Sequence, residues 1–275
     1  MRRDYGFSSI GVSSITVLCW LIVGSTNWAQ KPDERESVGK FKQLQEIEEK
    51  FEIEIATSAL SFPVKTIHGL IEGKEADGET LEEYQKLFAV EVNRYPKSLV
   101  RNVKLLGVVL CVELSFDGQR RNAIPDFEHD VLYLDVKRGD YNRQYQRKVI
   151  HHEFFHLIDY KDDGSVYADE TWAALNPASF RYGTGGRNAQ DDASTSVLTD
   201  RYPGFLNHYS TTGVEEDKAE MFANMIVAPK HVETRESEDP VIKSKVAAMK
   251  SLIQKFCPEM KEEFWQQVTK SLSEN

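Results

Sequence analysis

The sequence predicts an α+β domain. Strand-like runs at 51–55, 105–116 and 129–136 come first, and helix-like runs at 141–160, 214–227 and from 241 onward follow them. Segregated strands and helices, rather than alternating ones, are the pattern of α+β architecture. A composition of 40% hydrophobic and 28% charged residues over 275 positions suits an ordinary globular domain. There is no internal repeat or low-complexity tract.

The N-terminus reads as a targeting segment. Arg2 and Arg3 precede an apolar stretch from Ile10 to Val23, which ends in Gly24-Ser25-Thr26 and then Ala29. A short apolar run after a basic start is the pattern of a secretory signal. Cleavage after Ala29 and export to the periplasm, cell envelope or extracellular space are expected. The alternative is an uncleaved membrane anchor, because Asn27 stands where a small residue is preferred. Contact with a membrane is expected only in that case. Cys19 would leave with the signal. Cys111, inside the apolar run Val108–Val112, reads as a buried free thiol.

The predicted organisation is a signal over 1–29, a charged segment over 30–50 and one domain over 51–275, with a core at 105–229 and C-terminal helices at 240–273. Lys31 to Lys50 is expected to form a solvated helix. The alternation in Phe51-Glu52-Ile53-Glu54-Ile55 has the period of a half-buried strand. Thr80 to Arg94 carries an apolar stripe of Leu81, Tyr84, Leu87, Phe88 and Val92, with Thr80 and Glu83 as a capping box and Pro96 as its stop. His129 to Val136 alternates as a strand should. The stretch 161–208, rich in Gly and Pro, is irregular and long enough to be a functional loop. Pro229 is expected to end the helix 214–227.

Lys plus Arg number 34 against 44 Asp plus Glu, a formal charge of −10. Nucleic-acid binding needs clustered cations, so it is not expected.

The chemistry is concentrated at His152-Glu153-Phe154-Phe155-His156, an H-E-x-x-H pattern. Residues four apart share one face of a helix, so both imidazoles can reach one metal ion. Zinc accepts neutral imidazole in a tetrahedral site. Glu153 is placed to take a proton from water and pass it to a leaving amine. His151 points elsewhere. Asp159, three residues beyond His156, is a candidate either to support a ligand histidine or simply to solvate the helix end.

A third ligand is needed. A metzincin would carry Gly and His where Asp159 and Asp162 stand, and Cys111 lacks the glycine-bearing turn of a deformylase-like site. Glu216 and Glu220 lie one turn apart on a predicted helix. One can bind the metal while the other accepts the free N–H of a ligand imidazole. Glu215 and Asp217 read as ordinary helix N-terminal acids. Glu170 is a competing ligand, though Ala174 gives it no second carboxylate. Trp172 is expected to anchor the long loop.

At these residues the chain resembles gluzincin zinc peptidases. The run Tyr209-Ser-Thr-Thr-Gly-Val-Glu-Glu216-Asp-Lys-Ala-Glu220-Met-Phe-Ala is similar to the corresponding helix of the anthrax lethal factor catalytic domain and of bacterial zinc-binding metallopeptidases. The bacterial group also resembles this chain in His151–Asp159, in Leu175-Asn176-Pro177 and in Phe180–Gly183. The resemblance spans about 105–229 and implies a zincin-like domain with a small sheet, an H-E-x-x-H helix and a helical C-terminal part. It implies Glu216 as the third zinc ligand, Glu220 behind a histidine and Tyr209 as the donor to the oxyanion. His156 to Glu216 is 60 residues, longer than in compact gluzincins.

The function expected is an exported zinc peptidase with a peptide or protein substrate, which could lie along the edge of 129–136 by β-addition. The alternatives are a non-catalytic zinc-fold protein of the cell envelope and a zinc hydrolase of a non-peptide amide.

Overall fold

The computed structural model describes residues 40–186 and 193–271. The signal segment and most of the charged segment before Lys42 lie outside the described residues. No described helix is long and apolar enough to cross a membrane.

Helix α1 (Lys42–Phe51) leads into β1 (Glu54–Ala56), the hairpin β2 (Val64–Thr66) and β3 (Gly69–Glu75), then α2 (Gly78–Val92) and α3 (Lys97–Val103). Next come β4 (Gly107–Phe116), β5 (Gln119–Arg120), β6 (Ala123–Asp126) and β7 (Val131–Asp135). The rest is helical: α4 (Arg143–Asp163), the short α5 (Glu170–Ala173), α6 (Val214–Val227), α7 (Pro229–Glu238), α8 (Pro240–Phe256) and α9 (Glu262–Ser271). The architecture is α+β, a small mixed sheet followed by a helical C-terminal part.

The sheet runs β2-β3-β4-β7-β6, with β1 and β5 also paired to β4. β4 is parallel to β1 and β7 and antiparallel to β3 and β5. Both faces of β7 are buried. Leu132 and Leu134 face the main helical core, while Val131 and Tyr133 join a second cluster with Leu60, Phe62 and Val64. The segment 57–66 that covers this second face has no periodicity, which is why the sequence conceals it.

β7 is flanked by β4 and β6, so among the described residues the strand that ends the sheet on this side is β6 and not 129–136. Asp135 N–H donates to the Asn122 carbonyl at 2.8 Å. By the alternation of an antiparallel ladder, the main-chain groups of Ala123 and Pro125 then point outward. Pro125 has no N–H to offer, and proline in a strand belongs on an edge.

Several boundaries differ from expectation. The charged N-terminal helix is amphipathic, with Leu44, Ile47 and Phe51 buried in the main core. Asp77, not Thr80, caps α2: its carboxylate accepts from the Thr80 N–H at 2.8 Å. α6 ends at Val227 as expected, with non-helical Ala228 ahead of Pro229, but the proline also starts a further helix. It is the first residue of α7, where its missing N–H costs no hydrogen bond. Cys111 and Cys257 are both buried and free.

α4 is bounded by its own caps. Asn142 Oδ1 accepts from Tyr145 N–H at 3.1 Å, and Gly164, at φ 79°, closes the C-terminus in the left-handed region. On one side α4 is held to α2 by a buried ionic cluster. Glu91 accepts from Arg147 Nε at 2.7 Å, Arg94 Nε at 2.8 Å and His151 Nε2 at 2.9 Å. Tyr95 Oη lies 2.5 Å from His151 Nδ1, so the hydroxyl donates to Nδ1 while Nε2–H donates to Glu91. Burial alone would raise the Glu91 carboxyl, but His151 and Arg147 outweigh it and hold the pKa at about 2.

Glu91→Ala leaves these donors unpaired in the interior and is predicted to cost about 3–5 kcal/mol of stability in denaturant unfolding. The pKa lies below its ordinary 4.5, so the carboxylate stabilises the fold above pH 4.5 and progressively less as pH falls towards 2. The variant should show a flatter loss of stability across that window.

Candidate metal centre

α4 and α6 form the most extensively packed helix pair, and each presents its functional residues to the other. His151 faces α2; its neighbour His152, rotated about 100° round the helix, faces α6. His152 Nε2 lies 3.0 Å from Glu216 Oε2 and 3.2 Å from His156 Nε2, and His156 Nε2 lies 3.7 Å from the same Glu216 oxygen. Among the described residues, His152, His156 and Glu216 are the group whose ligand atoms converge, all within 4.8 Å. Zinc bonds of about 2.0–2.1 Å in a tetrahedron place ligand atoms about 3.3 Å apart. The three separations bracket that value, so the donor set fits zinc.

The electrostatics agree. Burial alone would lower the His152 pKa, but Glu216 and Glu220 outweigh it and raise it to about 10. Burial would raise the Glu216 carboxyl, yet His152 and His156 hold it well below the ordinary range. Both shifts arise from the carboxylates and imidazoles facing one another across the site. Glu153, half-buried, has its carboxyl pushed up by burial, against the pull of His152 and His156.

Glu220 stands behind His152. Its Oε1 lies 3.0 Å from His152 Nδ1, an ion-pair contact that lacks hydrogen-bond alignment, and accepts from Lys148 Nζ at 2.7 Å. Lys148, His152 and His156 form one stripe of α4 at four-residue spacing. Oε2 of Glu220 accepts from Asn207 Nδ2 at 2.6 Å and Asn224 Nδ2 at 3.2 Å. Tyr209, in a 3-10 turn over Tyr209–Thr211, donates its hydroxyl to Glu216 Oε1 at 3.0 Å. The loop also approaches: a Cβ added on Gly186 would run into Glu216 Oε1 and the Tyr209 hydroxyl. Only glycine fits there.

Asp159 is buried and lies near enough to His156 to feel its charge. It pairs with Lys218 Nζ at 2.5 Å, while its Oδ2 and His156 Nδ1 have no hydrogen-bond partner. Glu170 is exposed and outside the cluster. Asp217 is not a solvated N-terminal acid. It is buried and takes Trp172 Nε1 at 2.8 Å, Tyr182 Oη at 2.6 Å and Lys245 Nζ at 2.7 Å, which anchors the long loop as Trp172 suggested. Sequence reasoning missed Lys148, Asn207, Lys218, Lys245 and Gly186. Of these, Lys148 carried a signal in its spacing to His152.

Residues 126–264 match the family described as "Putative zinc-binding metallo-peptidase". The chain belongs to that family. The match runs from the end of β6 through α8 and so contains both helices of the site. A solved structure of the same description from Bacteroides caccae ATCC 43185 is similar at a TM-score of 0.54 and 17% identity, over 89% of this chain and 97% of that one. At that identity the likeness concerns the fold. No curated protein matches the chain.

The two carboxylates of α6 separate by experiment. Glu216→Ala leaves only two histidines and should lose zinc on gel filtration. Glu220→Ala should weaken zinc affinity about 10–100-fold yet still load at saturating metal. Metal analysis of both purified variants distinguishes them, and stoichiometric zinc in Glu216→Ala would remove Glu216 from the ligand set.

Proposed function

We propose that this chain is an exported, gluzincin-type zinc peptidase of zincin-like fold, with His152, His156 and Glu216 as ligands and Glu153 as general base. The observation that carries the reading is the convergence of two imidazoles and a carboxylate at zinc-like spacing, beside Glu153 and the Tyr209 hydroxyl. The proposed export signal is 1–29, with an N-terminal anchor as the alternative, and the proposed peptidase domain spans 51–275.

Zinc, when bound, supplies Lewis-acid polarisation and lowers the pKa of water. The chain's own residues do the rest. Glu153 accepts the proton of the attacking water and delivers it to the departing amine nitrogen. Its burial suits this, because a carboxyl pushed up from its ordinary range holds a proton more readily once it has taken one. Tyr209, on exchanging Glu216 Oε1 for substrate, donates to the oxygen on which negative charge develops. Glu220, saturated by Lys148, Asn207 and Asn224, keeps His152 oriented with Nε2 inward. An extended peptide would add to the open edge of β6 through the Ala123 N–H and the carbonyls of Ala123 and Pro125.

Glu153→Gln keeps the shape but not the proton acceptor. Zinc should stay bound while hydrolysis of a peptide library falls by at least about 100-fold, and a wild-type rate would remove Glu153 from the mechanism. Tyr209→Phe deletes one donor and should lower kcat by about 10²–10³ with KM nearly constant. A kcat equal to wild type would leave Tyr209 a packing residue.

A further inference from the structure

Asn207 is completely buried, two residues before Tyr209, and no motif marks it. Its amide works in two directions. Nδ2 donates to Glu220 Oε2 at 2.6 Å. Oδ1 accepts from both the backbone N–H and the hydroxyl of Ser210, each at 2.9 Å. The orientation of the amide is fixed by its partners: an ionised carboxylate only accepts and a backbone N–H only donates, so a flipped side chain would face like against like at both ends.

Each end leads to a different part of the site. Through Glu220 the donor end reaches His152 Nδ1, 3.0 Å from the other carboxylate oxygen. Through Ser210 the acceptor end fixes the turn Tyr209–Thr211, from which the Tyr209 hydroxyl reaches Glu216 at 3.0 Å. Lys148 and Asn224 also hold Glu220, but neither touches the Tyr209 turn. Asn207 alone among these partners joins the two.

We infer that Asn207 is a positioning residue that couples the support of the metal-ligating His152 to the placement of the Tyr209 hydroxyl. The Tyr209 half rests on the peptidase reading above; the metal half does not. A side chain that merely stapled the loop would change stability and leave both zinc affinity and the Tyr209 contribution to kcat intact.

The test uses Asn207→Ala, Asn207→Asp, Tyr209→Phe and the Asn207→Ala/Tyr209→Phe double variant. Zinc affinity is measured without substrate by competition against a chromophoric chelator, and kcat at saturating zinc on a peptide that the wild type cleaves. Asn207→Ala should weaken zinc about 10–100-fold. With zinc restored, its kcat should still fall by about tenfold or more, and in the Tyr209→Phe background it should cost no further kcat, because the hydroxyl it places is gone. Asn207→Asp, assayed at pH 8, keeps the volume and the acceptor for Ser210 but loses the donor to Glu220. It should weaken zinc as alanine does while losing less kcat, and it carries the test if the alanine variant does not fold. Wild-type zinc affinity in both variants overturns the metal half. Additive kcat losses in the double variant overturn the Tyr209 half. A wild type that cleaves no peptide overturns the Tyr209 half together with the peptidase reading, and the zinc comparison then decides the rest.

Discussion

The structure depends on one electrostatic constraint: the first two turns of α6 carry Glu215, Glu216, Asp217, Lys218 and Glu220 in a helix whose every residue is buried. Isolated charges cannot be left in such a place. Glu216 meets His152 and His156, Asp217 meets Lys245, Lys218 meets Asp159 and Asp169, and Glu220 meets Lys148 and His152. The partners come from α4, α8 and the long loop. Satisfying α6 therefore assembles the helical half of the molecule around the metal centre.

A buried ion pair is weak evidence for net stability, because desolvation offsets much of the attraction. Its value here lies in specificity. Glu216, Asp217, Lys218 and Glu220 select partners on α4, α8 and the long loop, and a shift of α6 by one residue would set these four charges against the wrong neighbours. The Glu91 cluster does the same on the opposite face of α4, so the H-E-x-x-H helix is located from two sides by directional contacts rather than by apolar packing alone.

What the sequence revealed follows from distance along the chain. His152, His156, Glu216 and Glu220 were legible because four-residue spacing turns into one helix face, and the strong apolar patterns of β4 and β7 were legible as strands. Asn207, Asp169, Tyr182 and Lys245 were not, since their partners lie 13 to 49 residues away through irregular chain. The hairpin β2-β3 escaped because its few apolar residues show no sustained period. Pro229 was legible as the stop of α6 but not as the start of α7, because proline serves both ends with equal ease. Pro125 was a missed signal: proline within a strand already marks the sheet's edge.

That proline has a consequence for the molecule in company. An open strand edge is a template for pairing with another copy of itself, and proteins commonly guard against it. Two β6 edges brought together would offer a single outward N–H each, from Ala123, against four carbonyls, so at least half of the acceptors would go unanswered. A flexible peptide can slide until its own N–H groups meet those carbonyls; a second copy of this rigid edge cannot. The strand is open to guests and closed to its twin.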